Sequence, residues 1–428
     1  MDDIAIKASE IKSAILRALN AAQISLADND ICEIDGKTLT NTNAARSALV
    51  AAGDRAALLH QIGPEQREAL YPLLGIQAKG STPCMLVRRI GGSETRPCFH
   101  IIDVVEFADS GVEGFDRASG SAPPDAMPPA NRQPDQELAP LVGPVPELDL
   151  PALFADAVVQ AWELPQTLST GDGPKEHLWL YTRSSPWYPS GKKGDGYTPP
   201  SDQLVAVNIS YTFRAFLNDA ESGVFQWLYV ETLGHMSTNG MKKNDHNNRG
   251  WGNGSVQISV PPPSGVPLFY DASPANTNNE KSVTTTVGFD VGYQTGSLNY
   301  SQSQTETIRD WKVIQQTTQS WLYEMSSPFS GNSDKFPDDA VKYNAGKARH
   351  EIKSWPDLTT SVFRWSTMSV YRNDRPTAGN VVVSPAIKTR AIFMHLHNSW
   401  PSWDGYYWWS WINIDEQFTL DFSVVDNA

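Results

Sequence analysis

The sequence of 428 residues predicts a mostly-β protein, a β-sandwich preceded by a small α/β domain. Three observations carry this reading. Beyond residue 150, short alternating runs are separated by Gly, Pro, Asn and Asp, and helical periodicity is absent. Before residue 117, apolar residues recur at helical spacing between strand-like runs. Between them lies a stretch rich in Pro, Ala, Gly and Asp with no periodicity.

The leader, residues 1–117, opens with Ile4, Ala8, Ile11, Ile15, Leu19 and Ala22, one apolar face of a helix. "TNTNAARSALVAAG" predicts a second helix, with Asn or Thr as N-cap and Gly53 as its stop, and "GPEQREALYPLL" a third. "CMLVRRIGGSETRPCFHIIDVVEF" reads as a hairpin turning at Gly91-Gly92. Cys84 and Cys98 lie about equidistant from that turn, so they are either two half-buried thiols or a facing pair. Residues 118–150 form an extended linker open to proteases, with Arg117 and Arg132 as basic sites at and within it. From 151 to 428 the expectation is strand throughout, including "HLWLYT", "LVAVNISYTFRAF" (Val205, Val207, Ile209, Tyr211 and Phe213 on one face), "GVFQWLYVET", "SVQISV", "SVFRWSTMSVYR", "RAIFMHLH" and "QFTLDFSV".

Composition excludes several functions. A formal net charge of -14 argues against nucleic acid and against simple electrostatic attachment to anionic lipid. No apolar run of about 18 residues encodes a transmembrane helix. The opening "MDDIAIKASE" has no signal-peptide apolar segment. Either an export signal has been removed, or the chain leaves the cell by another route, or it stays inside. Three Cys do not make a disulfide scaffold. Motifs for a serine nucleophile elbow, a zinc protease, a phosphate loop or a redox dithiol are absent, so no enzyme activity, cofactor or metal is expected. His395 and His397 share a strand face but lack an evident third metal ligand.

Two patterns carry function. In "VTTTVGFDVGY", Val283, Thr285 (through its methyl), Val287, Phe289, Val291 and Tyr293 alternate with Thr284, Thr286, Gly288, Asp290 and Gly292. After a turn at Thr295-Gly296, "SLNYSQSQTETI" is almost wholly polar; this register pairs Tyr293 with Leu298 and Val291 with Tyr300. An ordinary sandwich hairpin and a membrane-inserting stem both fit. "SWPSWDGYYWWSW" holds Trp400, Trp403, Tyr406, Tyr407, Trp408, Trp409 and Trp411, which suit a sheet core, sugar stacking or a membrane interface. Trp251, Phe329 and Trp355 lie among turn formers and read as exposed.

The order of these pieces resembles the leukocidin/hemolysin family of β-pore-forming toxins, most closely its cytolysin protoxins, here without lectin modules. The matching stretches are "ALYPLLGIQAKGSTPCMLVRRIGGSETRPCFHIIDVVEF", "HLWLYTRSSPWYPSGKKGDGYTPPSDQLVAVNISYTFRAFL", "GFDVGYQTGSLNYSQSQTETIRDWKV", "QSWLYEM" and "NIDEQFTLDF". The resemblance implies a leukocidin-like sandwich cap with a pre-stem hairpin and a rim, behind a pro-domain. It implies secretion as a precursor and a cut near Arg117 or Arg132 by an activating protease. It implies binding to target-cell membrane lipid or glycan through rim residues Trp251, Phe329, Trp355, Trp400, Trp403, Tyr406, Tyr407 and Trp408. Ring assembly with copies of itself, commonly a heptamer, and a shared β-barrel would follow. The stem would be residues 283–308, including Val283, Val287, Phe289, Val291, Tyr293, Leu298 and Tyr300, with Asp290, Gln294, Asn299 and Ser301 toward the lumen. The segment is shorter than the family's stem, so a membrane- or glycan-docking module that does not perforate is the alternative, and a carbohydrate-active sandwich using the Trp cluster as a sugar platform is the third reading.

Overall fold

The structure is a computed structural model. It describes residues 8–78, 83–92, 97–104, 113–125, 149–162, 175–191, 199, 201, 203–220, 223–238, 250–276, 282–293, 296–307, 311–325, 329, 331–355, 358, 362–375 and 379–426. The first half runs α1 (Ala8–Ala21), β1 (Ile31–Asp35), α2 (Thr42–Ala52), β2 (Ala56–His60), α3 (Pro64–Leu74), β3 (Ile76–Ala78), β4 (Cys84–Gly92), β5 (Pro97–Val104), β6 (Glu113–Ser121) and α4 (Leu150–Trp162). Then come β7 (Lys175–Ser184), β8 (Ala206–Ala220), β9 (Gly223–Ser237), β10 (Gly252–Ser259), β11 (Leu268–Ser273), β12 (Ser282–Tyr293), β13 (Gly296–Thr307), β14 (Trp311–Thr317) and β15 (Ser320–Met325). The chain ends with β16 (Val341–Asn344), β17 (Arg349–Ile352), β18 (Val362–Asn373), β19 (Asn380–Val383), β20 (Ala386–Ser399), β21 (Ser402–Asp415), β22 (Phe418–Asp421) and α5 (Ser423–Asp426).

The helices follow local signals. α1 buries Ile11, Ala14, Ile15 and Leu19 along one stripe. The Asn41 side chain accepts from the Ala44 N–H and caps α2. α3 starts on Pro64 and ends at Gly75, whose φ of 66° suits a residue without Cβ.

The strands build two facing sheets, mostly β as the sequence predicts. One is ordered β1-β2-β4-β5-β7-β8-β9-β18-β11, the other β14-β15-β10-β20-β21-β6. Val205, Val207, Ile209, Tyr211 and Phe213 are all buried in the core between them. Trp311 stacks on Phe363 at 3.8 Å and Tyr323 meets the same ring edge-on at 5.9 Å, so the sheets meet through rings.

The leader is not a separate body behind a linker at residue 117. Its β5 pairs in parallel with β7, its β3 pairs with β22, and Glu113–Ser121, expected to be linker at its end, is edge strand β6 on β21. Arg117 lies inside that strand, bonded to Asp404 at 3.0 Å, and so is a poor protease target. Residues 150–162 were expected as linker and strand but form α4, whose Phe154, Ala157, Val158 and Ala161 share a core with Ile11, Ile15 and Leu19 of α1. Ladder closure explains β6, since a bare β21 edge would expose unpaired N–H and C=O groups, and α4 forms because its apolar stripe buries against α1. Cys84 pairs across from His60 and Cys98 from Gly91, so the two thiols do not face each other. Arg132 lies outside the described residues.

The β5–β7 seam is polar and buried. Asp103 accepts from Arg67 at 3.1 Å and from the Tyr181 hydroxyl at 2.9 Å, and Arg183 pairs with Glu416. His100 shares a hydrogen bond of 2.9 Å with Thr182. Burial, helped by Arg88, lowers the His100 pKa to about 3. A histidine depressed in the fold stabilises it above its ordinary value near 6.5 and loses that contribution as pH falls toward 3. Asp103 and Glu416, raised by burial, act in the opposite sense. The expected outcome is that His100→Gln removes about 3 kcal/mol of acid destabilisation between pH 7 and 4, read as the difference in urea midpoint from the parent protein.

Candidate functional site

The hairpin β12–β13 belongs to neither large sheet. Among the described residues its two strands pair in the ladder only with each other, from Ser282↔Thr307 to Tyr293↔Gly296. The connection is two residues, 294 and 295, one position earlier in the chain than the expected turn at Thr295-Gly296. Val291 therefore sits opposite Leu298 and Phe289 opposite Tyr300, two positions away from the expected register. Moving a two-residue loop by one position along the chain shifts every cross-strand pair by two residues and keeps each side chain on its face. Asp290 pairs with Asn299 and Gly288 with Ser301; Gln294 lies outside the described residues. One face of the ribbon is Ser, Thr, Gly, Asn and Asp at every position from Ser282 to Gly292 and from Ser297 to Thr307. The other face holds Val283, Thr285, Val287, Phe289, Val291 and Tyr293, opposite Glu306, Gln304, Gln302, Tyr300, Leu298 and Gly296.

The ribbon is anchored at Thr285. This side chain is fully buried; its hydroxyl donates to the Ser366 carbonyl at 3.1 Å, and the Ser366 hydroxyl donates back at 2.8 Å. Tyr323 of β15 donates to the same carbonyl at 2.6 Å. β11 pairs with β18 only from Met368 onward, which leaves the carbonyl of Ser366 to these two hydroxyls. Ser366 shares a sheet row and face with Leu233 and Ser210. Neighbouring rows on that face hold Thr212, Glu231 and Met368, then Asn208, His235 and Arg364. The Ser210 hydroxyl bonds Thr182 at 2.8 Å, and Thr182 bonds His100 of the leader. Asn208 donates to Gln160 of α4 at 2.9 Å, and Arg214 pairs with Glu176 at 2.9 Å. The face behind the ribbon is mixed: Ser210, Thr212, Asn208, His235 and Arg364 surround Ser366, while Met368 joins Val370, Tyr229, Trp227 and Phe216 in a buried apolar cluster on the same face, and the opposite face of these strands carries the main core. The polar rows beside Ser366 offer little transfer free energy to hold a ribbon down, and apolar burial on this face is concentrated in the cluster that begins at Met368.

The aromatic residues expected at a rim are core. Trp251, Phe329, Trp355, Trp403, Tyr406, Tyr407 and Trp408 are all buried, and only Trp400 is partly exposed. Phe329 packs on Trp355 at 5.7 Å, and Trp408 lies against Phe393 at 5.6 Å and Phe115 at 5.2 Å. Turn-forming neighbours had suggested exposure, but the large rings fill the space between elements instead. Ser366, Tyr323, Thr182 and Ser210 were not singled out in the sequence. The signal for Ser366 was present in "SVFRWSTMSVYR", whose alternation separates Trp365 from Arg364 and Ser366.

No protein-family model matches the chain, and no curated protein matches it. Among solved structures, Clostridium perfringens delta-toxin is similar at a TM-score of 0.39 and 15% identity, over 60% of this chain and 94% of that one. A structure described as a pore forming protein reaches 0.37 at 13% identity, over 57% and 93%. The Clostridium perfringens NetB toxin in its membrane-inserted form reaches 0.31 at 14% identity, over 56% and 96%.

Replacing the fully buried Trp408 by Ala is expected to cost about 3–5 kcal/mol of stability in urea unfolding. Trp400→Ala, at a partly exposed position, is expected to cost less than about 1 kcal/mol.

Proposed function

We propose that this chain is the precursor of a secreted β-pore-forming cytolysin. A protease cuts the segment after β6, at Arg132; the shortened chain binds target-cell membrane lipid, with glycan as a possible co-receptor, and assembles with copies of itself into a ring, a heptamer by family precedent. Each copy then gives up its β12–β13 ribbon to a shared barrel. The observation that carries this reading is the ribbon itself, which completes its ladder without the sheets and is tied to β18 by the Thr285 and Ser366 side chains.

The dimensions support it. Each strand is 12 residues long. At about 3.3 Å per residue and a tilt near 40°, that rises roughly 30 Å, against an apolar barrel band of about 25 Å. Asp290, Asn299 and Ser301 fall on the polar face and would line the lumen; Val287, Phe289, Val291, Leu298 and Tyr300 would face lipid. No bond is made or broken. The driving terms are burial of that apolar face and closure of the ribbon's outer edges against neighbouring ribbons. A second reading, docking on membrane or glycan without perforation, is favoured by one observation: Gln302, Gln304 and Glu306 share the apolar face, at up to a few kcal/mol each near the midplane.

The test is a lock. In T285C/S366C the two sulfurs replace hydroxyls 2.8 Å apart, so oxidation ties the ribbon to its seat. Trypsin-cleaved, oxidised protein is expected to bind vesicles without releasing dye, and dithiothreitol to restore release. Dye release that is equal before and after reduction contradicts the proposal. Vesicle binding with no release from any form supports the docking reading.

A further inference from the structure

We infer that β6 is a masking strand, and that the surface it covers is where a second copy of this chain docks. The inference rests on the proposed assembly but names a surface and a partner of its own.

The leader caps one side of the sandwich three times over: β5 on the edge of β7, β6 on the edge of β21, and β3 on β22. Of the three, β6 is the most closely fitted. It holds nine ladder positions, Glu113–Ser121 against Ser410–Ser402. Gly114 and Gly120 lie directly under indoles: a Cβ there would come within 1.9 Å of Trp409 and 2.4 Å of Trp403, so only glycine lets the strand lie under both rings. Between them Phe115 packs on Tyr406 and Trp408. Arg117 bonds Asp404 at 3.0 Å and lies over the Tyr406 ring. Asp116 accepts from the Phe336 N–H at 2.8 Å.

Arg132 is the only Lys or Arg between residues 118 and 174, so a tryptic cut in this segment falls after β6 and assigns β6 to the departing leader. Its departure leaves a nine-residue ladder edge beneath Trp403, Tyr406, Trp408 and Trp409. Lipid cannot satisfy such an edge, because its N–H and C=O groups need partners. A strand can. The opposite ends of the same two sheets are β14 and β11, which among the described residues have no further strand beyond them. β11 displays Leu268, Phe269 and Tyr270, which are 44%, 38% and 46% exposed and make up three of the five exposed large apolar residues among those described. One copy's β14/β11 side meeting the next copy's uncapped β21/β7 side is a head-to-tail contact of the kind that closes rings, and β14 follows directly from the ribbon. While β6 is in place, that contact is blocked.

The test compares the parent protein with S121C/S402C, which joins residues paired at the end of the β6–β21 ladder. Both are cleaved by trypsin, with the new N-terminus at Gln133 confirmed, and mixed with phosphatidylcholine–cholesterol vesicles. Equal melting of the two uncleaved proteins confirms that the variant folds. The parent is expected to sediment as high-mass oligomers after detergent extraction. The oxidised variant is expected to stay monomeric, with at least a tenfold loss of oligomer, and dithiothreitol to restore assembly. Oligomers from the oxidised variant equal to the parent's overturn the inference. Parent protein that stays monomeric on vesicles overturns it too, with lipid as the occupant of the uncapped surface. Parent oligomers without dye release leave this inference standing and defeat pore formation; dye release from an oxidised, assembled variant does the reverse.

Discussion

The rest of the structure depends on where the backbone hydrogen bonds of β12 and β13 go. A strand in the middle of a sheet spends its N–H and C=O groups on two neighbours and cannot leave without breaking both ladders. Here the two strands satisfy each other along their inner edges, and the described tie to the sheet is made by side chains at Thr285. Two hydrogen bonds of about 1 kcal/mol net each are a small barrier beside a core worth tens of kcal/mol. Ser210, Thr212 and Ser366 add little apolar attraction, and the apolar cluster on that face begins at Met368. The Tyr323 hydroxyl remains on the Ser366 carbonyl when Thr285 leaves, so the seat is not orphaned.

The leader is built into the sheets it precedes. Through β5 it extends the sheet that supports the ribbon, and its His100 begins a hydrogen-bonded row, His100–Thr182–Ser210, that runs toward Leu233 and Ser366. Through α4 the chain beyond the linker also contributes to the leader's own core. A cut between these elements therefore nicks a structure that noncovalent contacts still hold together. Separation is a second step, and the buried Arg67–Asp103 and Arg183–Glu416 pairs are among the contacts it must break.

Much of this was legible in the residues, and the losses have physical causes. The alternation at Val205–Phe213 and the caps of α2 and α3 are local signals, and tertiary packing kept them. The ribbon was visible for the same reason. Its register was not, because a shift by two residues leaves both faces unchanged and only the position of the two-residue loop decides. β6 was hidden because its Gly, Ser and Ala look like linker; they are there to pass beneath Trp403 and Trp409. The Trp cluster was ambiguous because amphipathic rings suit a core and an interface equally, and burial by a distant strand decided the matter. Thr285 was noticed for its methyl group, while its hydroxyl does the anchoring.

The central claim is that the ribbon leaves its seat and enters lipid with one face outward. Single cysteines placed along residues 286–293, each carrying an environment-sensitive fluorophore, test it most directly. After cleavage and vesicle addition, the account expects emission to shift to the blue at 287, 289 and 291 and to change little at 286, 288 and 290, a period of two. Emission that stays the same at all positions, or shifts without that period, contradicts it.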